Sequence, residues 1–199
     1  MTFENITVDA PEPAPGTVLL AGIPGSGKST VAAALAARFA RAAHIEVDGL
    51  QSLIVSGGHW PSPDGDQEAD RQILLRARNA CLLADSFAAA GFLPVLDDVV
   101  VRRSHLDHYR ARTKAAALHV VILAPGPDKA WERNNARHKR LTTNWAFLDE
   151  AMRAELSGEG VWIDNADLTV AETVDAVLAA TGLTPDPTPD PTPDPNLEK

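Results

Sequence analysis

Apolar and polar residues follow one another in blocks along the chain, and these blocks predict strands that alternate with helices. Five short apolar runs are predicted to be strands, at residues 18–21, 44–47, 92–101, 118–123 and 161–164. The first run contains no polar residue, which is typical of a strand that is buried on both faces. Strands and helices in alternation favour right-handed crossovers and a parallel sheet with helices on both of its faces. We therefore predict an α/β fold.

The helices are predicted from apolar residues that recur at intervals of three and four positions. The longest is expected over residues 67–90, with Gly91 ending it. Pro94 is difficult to place in the third strand, because proline cannot donate to a sheet, and we expect pairing to begin after it. The predicted buried face of the long helix consists of Leu74, Ala77, Cys81, Ala84 and Phe87. The other helices are expected over 28–42, 50–55, 104–114, 128–140, 145–156 and 169–180.

A glycine-rich loop lies between the first predicted strand and the helix that follows it. It reads GIPGSGKST over residues 22–30, which matches the phosphate-binding pattern G-x-x-x-x-G-K-[ST]. Glycines let several backbone N–H groups converge on an anion, and the start of the helix adds its positive end. Lys28 would reach the β- and γ-phosphates, and the Ser29 hydroxyl would hold Mg²⁺. The loop predicts nucleoside triphosphate binding through Gly22, Gly25, Ser26, Gly27, Lys28, Ser29 and Thr30.

Polar residues also follow the other predicted strands, and the carboxyl ends of parallel strands form the ligand-binding edge of such a sheet. Asp48 ends the second strand, where its carboxylate would face the γ-phosphate and take the proton of an attacking hydroxyl. The alternative is that Asp48 caps the short helix after it. Asn165, after the last strand, would edge an adenine pocket mainly through backbone groups.

Two adjacent carboxylates, Asp97 and Asp98, lie in the third predicted strand. Successive side chains of a strand point to opposite faces, so only one of them can face the cleft directly. Asp97 is slightly favoured as a ligand of Mg²⁺ together with Ser29, which leaves Asp98 as a contact for the substrate. Arg102, just beyond, is predicted either to touch the substrate or to lie on the surface.

The helix predicted over 128–140 carries Arg133, Arg137 and Arg140 on one face. The R-x-x-x-R spacing of the first two is that of a kinase lid, in which the first arginine covers the adenine and the second reaches the phosphates. Guanidinium groups stabilise the charge that develops during phosphoryl transfer. A solvated charged face is the alternative. The lid would span residues 126–145.

The acceptor molecule is expected to contact a Gly/Pro/Asp-rich loop at residues 57–66. His59 and Trp60 are the candidate wall of that site. Acceptor specificity depends on loop shape, so these residues do not identify the acceptor.

Composition limits the remaining possibilities. The 199 residues carry a formal charge of −9, of which residues 1–16 and 184–199 contribute −3 each. The nearly balanced remainder argues against a broad nucleic-acid-binding face. One cysteine excludes a disulfide framework and a cysteine-based metal site. The chain has no apolar run long enough to span a membrane, so we expect a cytoplasmic protein.

Three segments are expected. Residues 1–16 are proline-rich and are predicted to form a flexible arm, residues 17–183 form the domain, and residues 184–199 form a disordered tail. The tail repeats Thr-Pro-Asp-Pro three times, which favours an extended polyproline-like chain. The tail either docks a partner or is a passive segment with no binding role. No sequence feature indicates an oligomeric state.

Together, GIPGSGKST, the aspartate of HIEVDG, the paired aspartates, RNNAR and WIDNADLTVAETVDAVL resemble the P-loop phosphotransferase group over residues 17–181. That group includes chloramphenicol phosphotransferase, the zeta-toxin kinases, and gluconate and shikimate kinases. The resemblance implies a five-stranded parallel sheet in the order 2-3-1-4-5, ATP with Mg²⁺, and a small-molecule hydroxyl activated by Asp48. The chloramphenicol enzyme is the nearest match, because it also has a base aspartate after the second strand and a short lid. The acceptor would then be an antibiotic or a metabolite.

The same scaffold also serves three other functions. A 5′-polynucleotide or nucleotide kinase would need a basic groove that leads to Asp48, yet residues 49–70 contain no lysine or arginine. A toxin kinase would act on an activated sugar. A nucleotide-dependent switch of the GTPase type would carry an N-K-x-D motif, which the sequence lacks.

Overall fold

A computed structural model describes residues 12–62, 65–115, 117–136, 145 and 147–185. Its centre is a sheet of five parallel strands in the order β2-β3-β1-β4-β5. This order confirms the fold that the sequence predicts. The strands are β1 (Thr17–Ala21), β2 (Ala42–Glu46), β3 (Leu93–Asp98), β4 (Leu118–Leu123) and β5 (Val161–Ile163).

Seven helices in the described part of the chain connect and cover these strands, and they pack on both faces of the sheet. They are α1 (Lys28–Ala36), α2 (Val47–Gln51), α3 (Gln67–Ala89), α4 (Arg103–Arg112), α5 (Pro127–Asn135), α6 (Phe147–Glu155) and α7 (Val170–Thr181). None of these helices combines the length and the apolar character that crossing a bilayer requires.

The central strand β1 divides the core into two layers because its side chains alternate between the two faces of the sheet. Leu19 and Ala21 pack with α3, α4 and α6 on one face. Val18 and Leu20 pack with α1 and α7 on the other. All five residues of β1 are fully buried, as the uninterrupted apolar run predicts. The glycine-rich loop therefore starts from the most firmly held strand.

Pro94 lies within β3 without breaking it. The N–H of the preceding residue, Leu93, donates to Arg41 O on the β2 side at 2.9 Å. Since successive N–H groups of a strand alternate sides, the missing donor of Pro94 would face β1. Pairing between β3 and β1 begins only at Val95, opposite Val18. The expectation that pairing begins after the proline is confirmed for β1, whereas Pro94 pairs in register with Ala43 of β2.

Several helix predictions were wrong in detail. The helix expected over 50–55 is α2 (Val47–Gln51), so Asp48 lies in a helix and does not end the second strand. The helix expected over 128–140 is α5, which ends at Asn135.

The first helix was expected to continue to residue 42, but α1 ends at Ala36 and Ala42 begins β2. Strand pairing there overrides the high helix propensity of alanine. In α3, Leu74 and Phe87 are 39% and 38% exposed. The buried face of α3 is instead built mainly from small residues: Ala69, Ala77, Ala80, Cys81, Ala84 and Ala88.

The end of the predicted N-terminal arm contacts the domain. Ala14 N donates to Ala88 O at the end of α3 at 3.0 Å. An added Cβ at Gly16 would lie 2.9 Å from Ala117 O. The last residues of the segment 1–16 therefore pack against the fold, and residues 1–11 lie outside the described part.

Candidate active site

The glycine-rich loop leads from β1 into α1 and has the backbone geometry of an anion cradle. Gly25 and Gly27 have φ values of +88° and +96°, in the left-handed region that favours glycine. Gly27 is the N-cap of α1 and provides no side chain to cap it. Lys28 Nζ donates to Ile23 O across the loop at 3.1 Å. The loop thus combines a lysine with the positive end of a helix, which is a phosphate-binding arrangement.

Gly25 is also required by the packing of the loop against α5. A Cβ on this residue would lie 2.0 Å from Ala130 O, which is a backbone atom. No side-chain rotation can relieve such a contact. The glycine therefore allows both the loop conformation and the approach of α5.

A candidate Mg²⁺ site lies where α1 meets the end of β3. Ser29 Oγ donates to Asp97 Oδ1 at 3.0 Å, and His44 Nε2 lies 2.5 Å from Asp97 Oδ2. Mg²⁺ prefers oxygen ligands and takes one or two of them from the protein, the rest from water and phosphates. A hydroxyl and a carboxylate in contact beside the phosphate loop fit this requirement. The described residues contain no group of three or more His, Cys, Asp or Glu side chains arranged to hold a metal ion alone.

Asp48 lies in the first turn of α2 and forms an ion pair with Arg76 of α3. Arg76 Nη1 is 2.9 Å from Asp48 Oδ1. The contact is not an aligned hydrogen bond, because Nη1 has no such acceptor among the described residues. The N-cap of α2 is Glu46, so the alternative prediction, that Asp48 is a helix cap, is wrong.

Arg76 also contacts Asp98, which is itself held from several sides. Arg76 Nη2 donates to Asp98 Oδ1 at 3.2 Å, and Tyr109 OH donates to Asp98 Oδ2 at 2.8 Å. His105 Nε2 lies 3.2 Å from Oδ2, and Val99 N donates to Oδ1. Asp98 is 1% exposed and Arg76 is 4% exposed. These contacts favour Asp98 as an anchor of Arg76 over the predicted direct contact with the substrate.

The two carboxylates that flank Arg76 have pKa values shifted in opposite directions. The recessed position of Asp48 raises its pKa, and Asp98 and Asp97 add to the rise, while Arg76 and Lys28 oppose it. Because 48% of the Asp48 side chain remains open to solvent, the effect of burial is partial. Burial alone would also raise the pKa of Asp98, but His105, Arg76 and Tyr109 hold it well below its usual range.

Three residues predicted to bind the nucleotide, Arg133, Asn165 and Ser26, form one group connected by hydrogen bonds. Arg133 Nη2 donates to Asn165 O at 2.8 Å and to Ala166 O at 3.1 Å. Asn165 Nδ2 donates to Ser26 O at 3.0 Å. The turn after β5 is thus tied both to the phosphate loop and to α5. Asn165 Oδ1 and Ser26 Oγ are buried there without a hydrogen-bond partner in the described part of the chain.

Three of the residues predicted to contact the acceptor, His59, Trp60 and Arg102, are exposed. His59 Nδ1 lies 2.7 Å from Asp66 Oδ2, and Trp60 is 56% exposed. Arg102 Nη1 lies 3.3 Å from both carboxylate oxygens of Asp70 on the surface. The structure attaches the loop that carries His59 to α3, but among the described residues no hydrogen bond or ion pair joins His59, Trp60 or Arg102 to Asp48.

A known protein family covers most of this candidate site. The model of the AAA domain family AAA_33 matches residues 18–156, which include the phosphate loop, Asp48, Arg76 and both strand aspartates. The chain belongs to this family. No curated protein matches the chain significantly in sequence.

Solved structures similar to this AAA_33 domain include several that are described as kinases, and they show the fold. A sugar kinase from Janibacter sp. HTCC2649 has a TM-score of 0.63 and 18% identity, covering 87% of this chain and 97% of its own. The tunicamycin resistance protein of Deinococcus radiodurans has a TM-score of 0.64 and 18% identity, with 87% and 99% covered. A gluconokinase from Sinorhizobium meliloti 1021 has a TM-score of 0.54 and 22% identity, with 84% and 92% covered.

Part of the predicted site stays untested, and one residue of the site was missed. Arg137, predicted to reach the phosphates, and Arg140 lie outside the described residues, as does most of the predicted lid beyond residue 136. Arg76 was not predicted. A signal for it exists in the sequence, because Gln72 and Arg76 continue, at intervals of four, the row of buried alanines Ala80, Ala84 and Ala88.

Proposed function

We propose that this protein is an ATP-dependent phosphotransferase that moves the γ-phosphate to a hydroxyl of a small molecule, with Asp48 as the general base. The observation that carries the proposal is the position of Asp48. Its carboxylate pairs with Arg76, which also contacts Asp98, the neighbour of Asp97 at the end of β3. Asp97 in turn accepts from Ser29 of the phosphate loop. A base carboxylate, a phosphate-binding lysine and a Mg²⁺-type donor pair therefore belong to one cleft.

The roles follow from the chemistry of each group. Asp48 accepts the proton of the attacking hydroxyl, and its raised pKa makes it a better base than a fully solvated aspartate. Lys28 and the backbone N–H groups of the loop bind the β- and γ-phosphates. Ser29 and Asp97 would hold Mg²⁺, which supplies charge neutralisation at the phosphates. Arg133 would cover the adenine beside Asn165, and Arg137 would stabilise the transferring phosphoryl group from a lid over residues 126–145.

The charges around the acceptor side support a small acceptor over a polyanionic one. A histidine of the 57–66 loop and two arginines beyond it each pair with a carboxylate. The pairs are His59–Asp66 at 2.7 Å, Arg71–Glu68 at 3.0 Å and Arg102–Asp70 at 3.3 Å. A polynucleotide would need cations along its path to neutralise phosphates. We therefore favour a small hydroxylated metabolite or antibiotic over a nucleic acid end.

The similar structures guide the choice of acceptors. They include, by description, a sugar kinase, a gluconokinase, a shikimate kinase and a tunicamycin resistance protein. We propose that the acceptor is of the same general kind, a sugar-like or antibiotic hydroxyl compound, and that the reaction takes place in the cytoplasm. The domain responsible would be residues 17–183, with the segments 1–16 and 184–199 outside it.

Release of ADP from Mg·ATP tests the proposal. The full chain is assayed with gluconate, hexoses, shikimate, chloramphenicol and tunicamycin, each alone. We expect ADP release that depends on one of these compounds. We expect Asp48→Asn to lose this acceptor-dependent release. A slow ATPase rate that no acceptor alters and that Asp48→Asn retains would contradict it and favour a nucleotide-dependent switch.

A further inference from the structure

The segment that carries His59 and Trp60 is held in place by polar contacts. Residues 55–60 are all exposed, with Val55 at 97% and Trp60 at 56%. Such a segment gains little from apolar burial and would be mobile unless hydrogen bonds restrain it. The source of those hydrogen bonds therefore determines whether the loop can act as a fixed wall.

Gln72 of α3 supplies two of them, and the His59 side chain also pairs with Asp66 at the start of α3. Gln72 Oε1 accepts from His59 N at 2.7 Å and from Gln51 Nε2 at 2.7 Å. Its Nε2 donates to Gly57 O at 2.8 Å and to Glu68 Oε1 at 3.1 Å. The amide makes all four hydrogen bonds available to a glutamine side chain. Because the backbone N–H of His59 must face an oxygen, the Oε1 of Gln72, and not its Nε2, lies opposite His59.

Gln51 adds a second contact to the same loop, because its Nε2 also donates to His59 O at 3.1 Å. Gln51 is 3% exposed and Gln72 is 6% exposed. The bond between the two glutamines is buried, so removing either side chain leaves the other amide with an unsatisfied group. The bonds from this pair to Gly57 and His59 are partly buried.

The glutamine pair is the second of two polar bridges between α2 and α3. Asp48 and Gln51 lie three residues apart on α2, and Gln72 and Arg76 lie four residues apart on α3. Each pair therefore shares one face of its helix. Asp48 meets Arg76, and Gln51 meets Gln72. One face of α3 thus holds both the carboxylate proposed as the base and the loop predicted to contact the acceptor.

We propose that Gln72, assisted by Gln51, is a positioning residue that fixes the 57–59 segment as the acceptor wall in register with Asp48. The inference rests on the proposed phosphotransferase function and names the determinant of acceptor binding within it. A pre-ordered wall spares the acceptor the entropy of ordering the loop. Loss of Gln72 therefore weakens acceptor binding and leaves nucleotide binding and the chemical step intact.

The test compares wild type with Gln72→Met, which keeps the side-chain volume, and with Gln72→Glu, which removes both donors. Gln67→Met is the matched control, since Gln67 is an exposed glutamine of the same helix. Amide hydrogen exchange of the free protein is measured at His59. The KM of the acceptor that gives the highest turnover in the panel, the kcat, and the Kd for ATP are then measured for each variant.

For Gln72→Met we expect faster exchange of the His59 amide and an acceptor KM raised about tenfold, the loss of roughly one good hydrogen bond. Gln72→Glu keeps the oxygen that accepts from the His59 N–H and loses the donor to Gly57 O, so it should raise the acceptor KM with less change in the exchange of His59. The kcat and the Kd for ATP should stay within about twofold of wild type, the scatter of a neutral change, and Gln67→Met should match wild type. Unchanged exchange in Gln72→Met, or faster exchange in Gln72→Met with an unchanged acceptor KM, overturns the inference. If Gln72→Met does not fold, Gln51→Met provides the same comparison. Absence of acceptor-dependent turnover in wild type would instead defeat the proposed function, and with it the acceptor role of Gln72.

Discussion

Arg76 Nη1 lies 2.9 Å from Asp48 Oδ1, although the two residues belong to different helices. The same guanidinium reaches Asp98 through Nη2, so a buried cation joins the proposed base to an anchored carboxylate. Asp48 is thereby held at the carboxyl edge of the sheet, where α/β proteins bind their ligands. Three residues of this arrangement and one glycine of the phosphate loop lead to predictions.

Arg76 should set the lower pH limit of activity. Its positive charge lowers the pKa of Asp48, as does that of Lys28, while burial, Asp98 and Asp97 raise it. Removing the cation in Arg76→Met should therefore raise the Asp48 pKa and move the acid limb of the kcat/KM profile to higher pH. Arg76→Lys keeps the charge and should move it less. An acid limb in Arg76→Met at the wild-type position would show that Asp48 does not control it.

Asp48 itself should be needed for transfer but not for nucleotide binding. Asp48→Asn removes the proton acceptor and keeps the size of the side chain, so transfer should fall on the order of a hundredfold or more. The affinity for ATP, measured by calorimetry, should stay near that of wild type. Asp107→Asn, at an exposed ion pair with Arg110, is the control. An equal loss of ATP affinity in Asp48→Asn would indicate a structural role.

Asp98 should make the stability of the domain sensitive to acid. Its pKa is lowered in the folded protein, so the unfolded state takes up a proton first as the pH falls. The resulting stabilisation is complete above the ordinary aspartate value of 3.8 and is lost below it.

The comparison variant is Tyr109→Phe, which removes one of the hydrogen bonds that lower this pKa. Chemical denaturation from neutral pH to about pH 2, well below the usual aspartate pKa, should show a smaller pH-dependent loss of unfolding free energy in the variant. An identical pH dependence in both proteins would mean that Asp98 does not contribute to it.

Gly25 should tolerate no side chain. Gly25→Ala incurs the strain of a positive φ and also places a Cβ against Ala130 O, so α5 must move away from the phosphate loop. Gly158→Ala is the control, because Gly158 also has a positive φ of +78° but a Cβ added there would have no atom within 4 Å. It should therefore lose only about 1–2 kcal/mol, the usual cost of that backbone region. Thermal unfolding and ATP binding should both be affected more by Gly25→Ala, and equal effects would argue against close packing at this point.

Much of the fold follows from local sequence patterns. The apolar run of β1 and the spacing in α3 predict their elements to within about two residues, because burial and helical periodicity act over short distances. The strand order came from a family resemblance and not from the strands themselves. The end of α1 could not be predicted, since Ala42 is removed from the helix by pairing with Leu93, a residue far along the chain.

The candidate site also has a part that could be predicted from the sequence and a part that could not. The phosphate loop is one continuous motif, so Gly22 to Thr30 could be identified from the sequence alone. Asp48 was placed from its position after a strand. Arg76 and Gln72 could not be assigned roles, because their partners are set by the packing of α2 against α3, which helical periodicity does not reveal.

The central claim is phosphoryl transfer to an acceptor, and the most direct test follows the γ-phosphate. Wild type and Lys28→Ala are incubated with ATP labelled in the γ-phosphate, Mg²⁺ and the acceptor panel, and the labelled products are separated. We predict labelled acceptor in equal amount to ADP for wild type, and no labelled acceptor for Lys28→Ala. Label recovered only as inorganic phosphate from wild type, at a rate that no acceptor changes, would contradict the assignment as a phosphotransferase.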